Sequence, residues 1–118
     1  MKTAIVYYSR HHGNTKKVLH AIKEAYDVDL IDVTAVKEAK LSGYDLIGFA
    51  SGIYFGKMQE CILKFAEANL PEGKRVFFIY TCGMKQRVYT NAMEQIAKAK
   101  GAEKLLLWVY QAYLPLAL

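Results

Sequence analysis

Two kinds of apolar pattern alternate along this chain. The first kind is a short run rich in β-branched and aromatic residues: "TAIVYYS" (3–9), "VDLIDV" (28–33), "YDLIGFAS" (44–51), "RVFFIYT" (75–81) and "EKLLLWVY" (103–110). Runs that stay apolar at successive positions suit strands covered on both faces, as in a parallel sheet. The second kind recurs at helical spacing. Val18, Leu19, Ile22, Ala25 and Tyr26 predict a helix over 15–26. Met58, Cys61, Ile62 and Phe65 fall at i, i+3, i+4 and i+7 and predict a helix over 57–68. Val88, Ala92, Met93, Ile96 and Ala97 predict a third helix, with Gly101 where a helix C-cap belongs. Residues 34–43 read as a connector with a short helical piece around 35–40, and "LPEG" (70–73) reads as a turn.

Strands that alternate with helices predict βαβ units, right-handed crossovers and a parallel sheet with helices on both faces. No internal repeat, linker or low-complexity segment interrupts the pattern, so residues 1–118 form a single domain. That length is enough for one hydrophobic core.

Composition removes several classes of function. Apolar residues make up 53% of the chain and charged residues 23%, which excludes disorder. No apolar run approaches the ~18 residues of a membrane span. The apolar N-terminal run lacks a small-residue cleavage site after it, so the expected location is the cytoplasm. The two cysteines, Cys61 and Cys82, make no CxxC pair, and the three histidines, His11, His12 and His20, have no metal-ligand spacing. No metal site is expected. The net charge is +5, but no basic stripe with interleaved aromatics accompanies it, so nucleic acid is not an expected partner.

The candidate chemistry lies in three segments that follow strands. In an open α/β sheet, ligands bind at the carboxyl ends of the strands. The first segment, "SRHHGNT" (9–15), runs from a strand directly into a helix. Free backbone N–H groups at a helix start favour an anion. Ser9, Asn14 and Thr15 add short polar donors, and Gly13 lets the backbone turn. The same residues also suit an ordinary helix cap. They match neither the G-x-x-x-x-G-K-[ST] nor the G-x-G-x-x-G spacing. The second segment, "SGIYFGKM" (51–58), sets Ile53, Tyr54 and Phe55 between Gly52 and Gly56. Those residues either wall an aromatic ligand or fold under into the core. The third, "TCGM" (81–84), is small, with Cys82 either a packing residue or a thiol near a ligand.

Taken together, these segments resemble the flavodoxin-like FMN-binding family. "YSRHHGNT" is similar to its phosphate loop, "GFASGIYFGKM" to the loop that packs on the isoalloxazine ring, and "FIYTCGM" to its third flavin loop. The resemblance runs in order from residue 3 to about 104. It implies a flavodoxin-like doubly wound five-stranded parallel sheet of order 2-1-3-4-5, bound FMN and redox chemistry at the flavin. It implies that Ser9, Arg10, His11, His12, Gly13, Asn14 and Thr15 hold the phosphate. Ile53, Tyr54 and Phe55 would flank the ring. The backbone of Ser51, Gly52 and Gly56, and of Thr81, Cys82 and Gly83, would meet its polar edge. No residue reads as an obligatory acid, base or nucleophile. A receiver domain of the same topology needs acids after the first strand and an Asp ending the third, whereas residues 9–15 hold no acid and position 51 is Ser.

Two departures from the family shape the expectation. The chain ends at "YQAYLPLAL", where the family continues into a further loop and helix, so the final helix is expected to be missing. The apolar tail 108–118 would then cover a sheet face, as a homodimer contact. Family carriers are typically acidic, whereas Arg10, Lys16, Lys17, Lys57, Lys85 and Arg87 lie in or beside the three segments. The leading reading is electron transfer through bound FMN to a redox partner protein or a small-molecule acceptor. The alternatives are an NAD(P)H- or quinone-linked FMN oxidoreductase and a flavin-free binding or assembly module.

Overall fold

A computed structural model of the chain describes residues 2–8, 14–54, 57–82 and 90–111. The elements in order are β1 (Thr3–Tyr8), α1 (Asn14–Ala25), β2 (Asp29–Asp32), β3 (Leu46–Tyr54), β4 (Lys57–Met58), α2 (Glu60–Asn69), β5 (Arg75–Cys82), α3 (Asn91–Ala99) and β6 (Glu103–Gln111). The sheet order is β2-β1-β3-β5-β6, with all four pairings parallel. This is the expected 2-1-3-4-5 arrangement. The additional strand β4 pairs antiparallel with the end of β3.

Alternation along the strands divides the core into two layers. Val6, Tyr8, Ile47, Phe49, Val76 and Phe78 face α2 and α3, whose Ile62, Leu63, Phe65, Ala66, Met93 and Ala97 close over them. Ile5, Tyr7, Ala50, Phe77 and Ile79 face α1 and pack with its Leu19. Both faces of the strands are therefore buried, which is why they read as unbroken apolar runs. Helices cover both sides, as expected.

Phe77 packs in the α1 layer against the neighbouring strand. Its ring lies over Gly48 on the neighbouring strand, and a Cβ at position 48 would sit 2.3 Å from the ring's Cζ. Glycine inside a strand commonly marks such an approach.

The structure corrects two of the expected elements. The connector 33–45 contains turns and no helix. Asp32 starts it: its Oδ1 accepts from the Thr34 backbone N–H at 2.9 Å and from the Thr34 hydroxyl at 2.7 Å. Beyond the turn, Ala39 and Leu41 pack into the α2-side core two positions apart, a spacing that extended chain supplies and a helix does not. The second helix begins at Glu60, not at residue 57. Met58 is fully buried, as its helical spacing required, but it reaches the core from β4.

The third helix runs over Asn91–Ala99 as its pattern predicts; Val88 lies outside the described residues. Its end is a Schellman motif. Gly101 at φ +64° donates to the Lys98 carbonyl at 3.0 Å, and Ala102 donates to Ala97 at 2.9 Å. Ala102 packs on the same core cluster as Ala97, which completes the motif's apolar contact.

Candidate functional site

Parallel pairing aligns the carboxyl ends of the central strands. Tyr8 of β1 lies beside Ser51 of β3, Ser51 lies beside Tyr80 of β5, and Gly52 lies beside Thr81. The three segments singled out by the sequence therefore converge on one edge of the sheet. Asn14 and Thr15 are the first two residues of α1, which starts at this edge. Thr81 and Cys82 are the last two of β5. Ser9, Arg10, His11, His12, Gly13, Phe55, Gly56 and Gly83 lie outside the described residues.

The second segment is more ordered than a loop. Ser51 and Gly52 end the parallel pairing of β3, Ile53 and Tyr54 continue the strand beyond it, and the chain folds back as β4. Ile53 pairs with Met58 and Tyr54 with Lys57. Phe55 and Gly56, between the two strands in sequence, lie outside the described residues.

Alternation along this hairpin decides which side chains it offers. Ile53 is half-buried and packs against the α2-side core, so its side chain takes the inward of the two roles open to it. Ser51 is fully buried. Its hydroxyl donates to the Gly52 carbonyl at 2.6 Å and accepts from the Gln59 N–H at 3.1 Å. Gln59 in turn caps α2, its side-chain oxygen accepting from the Cys61 N–H. Ser51 thus ties the hairpin to the start of α2. The hydroxyl in "FASG" gave no sequence signal for this role, because its partner is eight residues away across the hairpin.

Ser51→Ala should therefore lower stability. The Gln59 N–H would lose a buried acceptor, at a cost of about 1–3 kcal/mol. A denaturant midpoint equal to the parent's would show that the tie is dispensable.

Electrostatics at this edge favour an anion beside α1. The first turn of α1 holds no carboxylate, whereas α2 and α3 each carry a glutamate in theirs. Lys16 and Lys17 follow directly and are exposed. On β1, burial and then the Asp32 carboxylate hold the Tyr7 phenol above its ordinary range. Among the described residues no cluster of His, Cys, Asp or Glu could hold a metal ion. Cys61 is a free, exposed thiol at the start of α2.

Relatives place this arrangement in a family. Residues 5–113 match the family described as flavodoxin domain. An uncharacterized protein of Methanocaldococcus jannaschii is 36% identical over 107 residues, spanning 89% of this chain and 71% of that protein. A flavodoxin from the domain Archaea has a similar structure, with a TM-score of 0.70 and 23% identity over 95% of this chain and 86% of its own. A flavoprotein in complex with FMN from Lactobacillus acidophilus gives 0.71 and 18%, covering 92% of each chain. Two-electron reduced Megasphaera elsdenii flavodoxin gives 0.72 and 17%, covering 97% and 90%. The match over nearly the whole sequence, together with the sheet order and the site edge, shows that this chain belongs to the flavodoxin domain family.

Proposed function

We propose that this chain binds FMN at the carboxyl edge of its sheet and transfers electrons through it. One observation carries the reading: an acid-free helix start and a β-hairpin meet at the ends of β1, β3 and β5. A phosphate dianion fits the first, because N–H groups at a helix start and the absence of a nearby carboxylate both favour negative charge. An extended hairpin fits the second, because its backbone runs beside that position. The FMN complex of the Lactobacillus acidophilus flavoprotein supports the cofactor.

The residues divide the work. The segment 9–15 holds the phosphate, with Asn14 and Thr15 donating from the first turn of α1. Tyr54 and Phe55 flank the ring, while Ile53 and Ser51 support the hairpin from beneath. The backbone around Gly52, Gly56, Thr81, Cys82 and Gly83 meets the ring's polar edge. When bound, FMN supplies one- and two-electron chemistry, and the protein supplies binding, orientation and electrostatics. The electrons pass to a partner protein or to a small-molecule acceptor in the cytoplasm. In this reading the apolar tail 108–118, most of which lies outside the described residues, joins two copies about a two-fold axis.

The test is direct. Purified protein should be yellow, or should take up FMN stoichiometrically and gain the visible absorption of oxidised flavin. Colourless protein that takes up no FMN would instead favour a flavin-free binding module. Turnover with NADPH and a quinone would identify an oxidoreductase, and its absence a carrier.

A further inference from the structure

We infer that Gln59 is a further binding residue of this site, and that its side-chain amide donates a hydrogen bond to the ring of a bound flavin. The inference rests on the FMN reading and adds to it a residue that the sequence pattern did not single out.

Gln59 stands between the hairpin and α2, and most of its polar groups are used to join them. Its backbone N–H donates to the buried Ser51 hydroxyl at 3.1 Å. Its carbonyl accepts from the Ile62 N–H at 3.0 Å and from the Leu63 N–H at 3.3 Å. Its side-chain oxygen accepts from the Cys61 N–H. That last bond orients the amide. A backbone N–H needs an acceptor opposite it, so the oxygen lies toward α2 and Nε2 occupies the other branch. Among the described residues nothing bonds that Nε2, and Gln59 is half-buried. Its place in the fold is the site edge. α2 leads from the hairpin back to the start of β5, so its first residues lie at the carboxyl edge. Ser51, to which Gln59 donates, lies there in register between Tyr8 and Tyr80.

Helix capping alone does not account for a glutamine here. Ser, Thr, Asp and Asn are the strong N-cap residues, and their shorter side chains reach the same N–H groups. Gln59 has the extended backbone of a cap, with φ −59° and ψ 137°, which any of them adopts. What glutamine has beyond Ser, Thr and Asp is a pair of N–H donors, and beyond Asn a further methylene of reach. Natural chains depart from such local rules chiefly at functional sites. A flavin ring carries carbonyl oxygens and ring nitrogens that accept hydrogen bonds, and the hairpin that Gln59 anchors is the segment proposed to hold that ring. A donor with no described protein partner thus stands beside the position of a ligand rich in acceptors.

The test titrates the full chain, freed of flavin, with riboflavin and with FMN, follows the quenching of flavin fluorescence, and sets each affinity beside a denaturant midpoint. Q59E keeps the capping oxygen and the side-chain length and replaces the N–H donors by an acceptor. Q59N is an ordinary cap whose donors fall one methylene short. Both variants should unfold at or above the parent's midpoint. Both should weaken riboflavin and FMN by about three- to tenfold, the worth of one hydrogen bond. Riboflavin has no phosphate, so its loss excludes repulsion between the phosphate and the new carboxylate. The visible band of the bound flavin should shift in the same two variants, because the ring loses a donor. Parent-like riboflavin affinity in either variant would overturn the inference and leave the FMN reading standing. So would an affinity loss that only follows a lowered midpoint, which would make Gln59 a helix cap alone. A parent chain that binds neither flavin would end the FMN reading and this inference with it.

Discussion

Gly48→Ala should destabilise this protein by about 1–3 kcal/mol, the usual range for overpacking a close-packed core. The added Cβ would lie 2.3, 2.6 and 2.9 Å from three atoms of the Phe77 ring. Real carbon atoms do not approach that closely, so the ring or the strand must move. The ring has little freedom: Phe77 is 6% exposed and packs with Ile5, Tyr7, Leu19 and Ile79 in the α1-side layer. Gly48→Val should cost more, because its side chain adds two further methyl groups to the same space. Phe77→Leu in the Gly48→Ala background should recover part of the loss. A double-mutant cycle should give a coupling of about 0.5–3 kcal/mol, as for other contacting pairs. Chemical unfolding of the four proteins is sufficient to measure it. A Gly48→Ala midpoint indistinguishable from the parent's would mean that the ring yields freely.

Asn14→Ala combined with Thr15→Ala should weaken FMN binding about tenfold or more. Hydrogen bonds to a charged group contribute roughly 1.5–3 kcal/mol each, and ~1.4 kcal/mol corresponds to a factor of ten. Both residues open α1 at the edge where β1 ends. The competing role is local: short polar residues also steady a helix start. The two roles separate experimentally. If the pair binds phosphate, FMN titration shifts even where the apoprotein unfolds at nearly the parent midpoint. A lowered midpoint with unchanged FMN affinity would leave only the helix-start role.

Much of the fold was legible from apolar spacing. Strands buried on both faces read as continuous runs, and the periodicity of Leu19 and Ile22, or of Met93, Ile96 and Ala97, marked helices within a residue or a few of their observed bounds. The order of these elements, with right-handed crossovers, left few arrangements of the sheet. The convergence of three segments on one edge followed from that order alone.

Side-chain roles at the site were less legible. Ile53 and Tyr54 are adjacent in sequence, and both are apolar or aromatic. Nothing local says which one faces the core. Pairing of Ile53 with Met58 in the hairpin decides it, since alternation then turns Ile53 inward. Met58 misled the helix assignment for a related reason: its spacing to Cys61, Ile62 and Phe65 imitates a helix, but burial constrains only where a side chain ends, not the path of its backbone. Gly48 carried a signal, an isolated glycine in a strand, whose meaning depends on a residue twenty-nine positions later.

The sequence by itself thus determined the periodic elements, the sheet they build and the edge on which a ligand site can form. These follow from local period and from the need to bury apolar faces, both of which are written residue by residue. Only the tertiary structure decided that Ser51 ties the hairpin to α2, that Phe77 fills the space over Gly48, and that the connector 33–45 contains turns and no helix. Each of those depends on which distant groups become neighbours, and that is set when strands pair and layers pack.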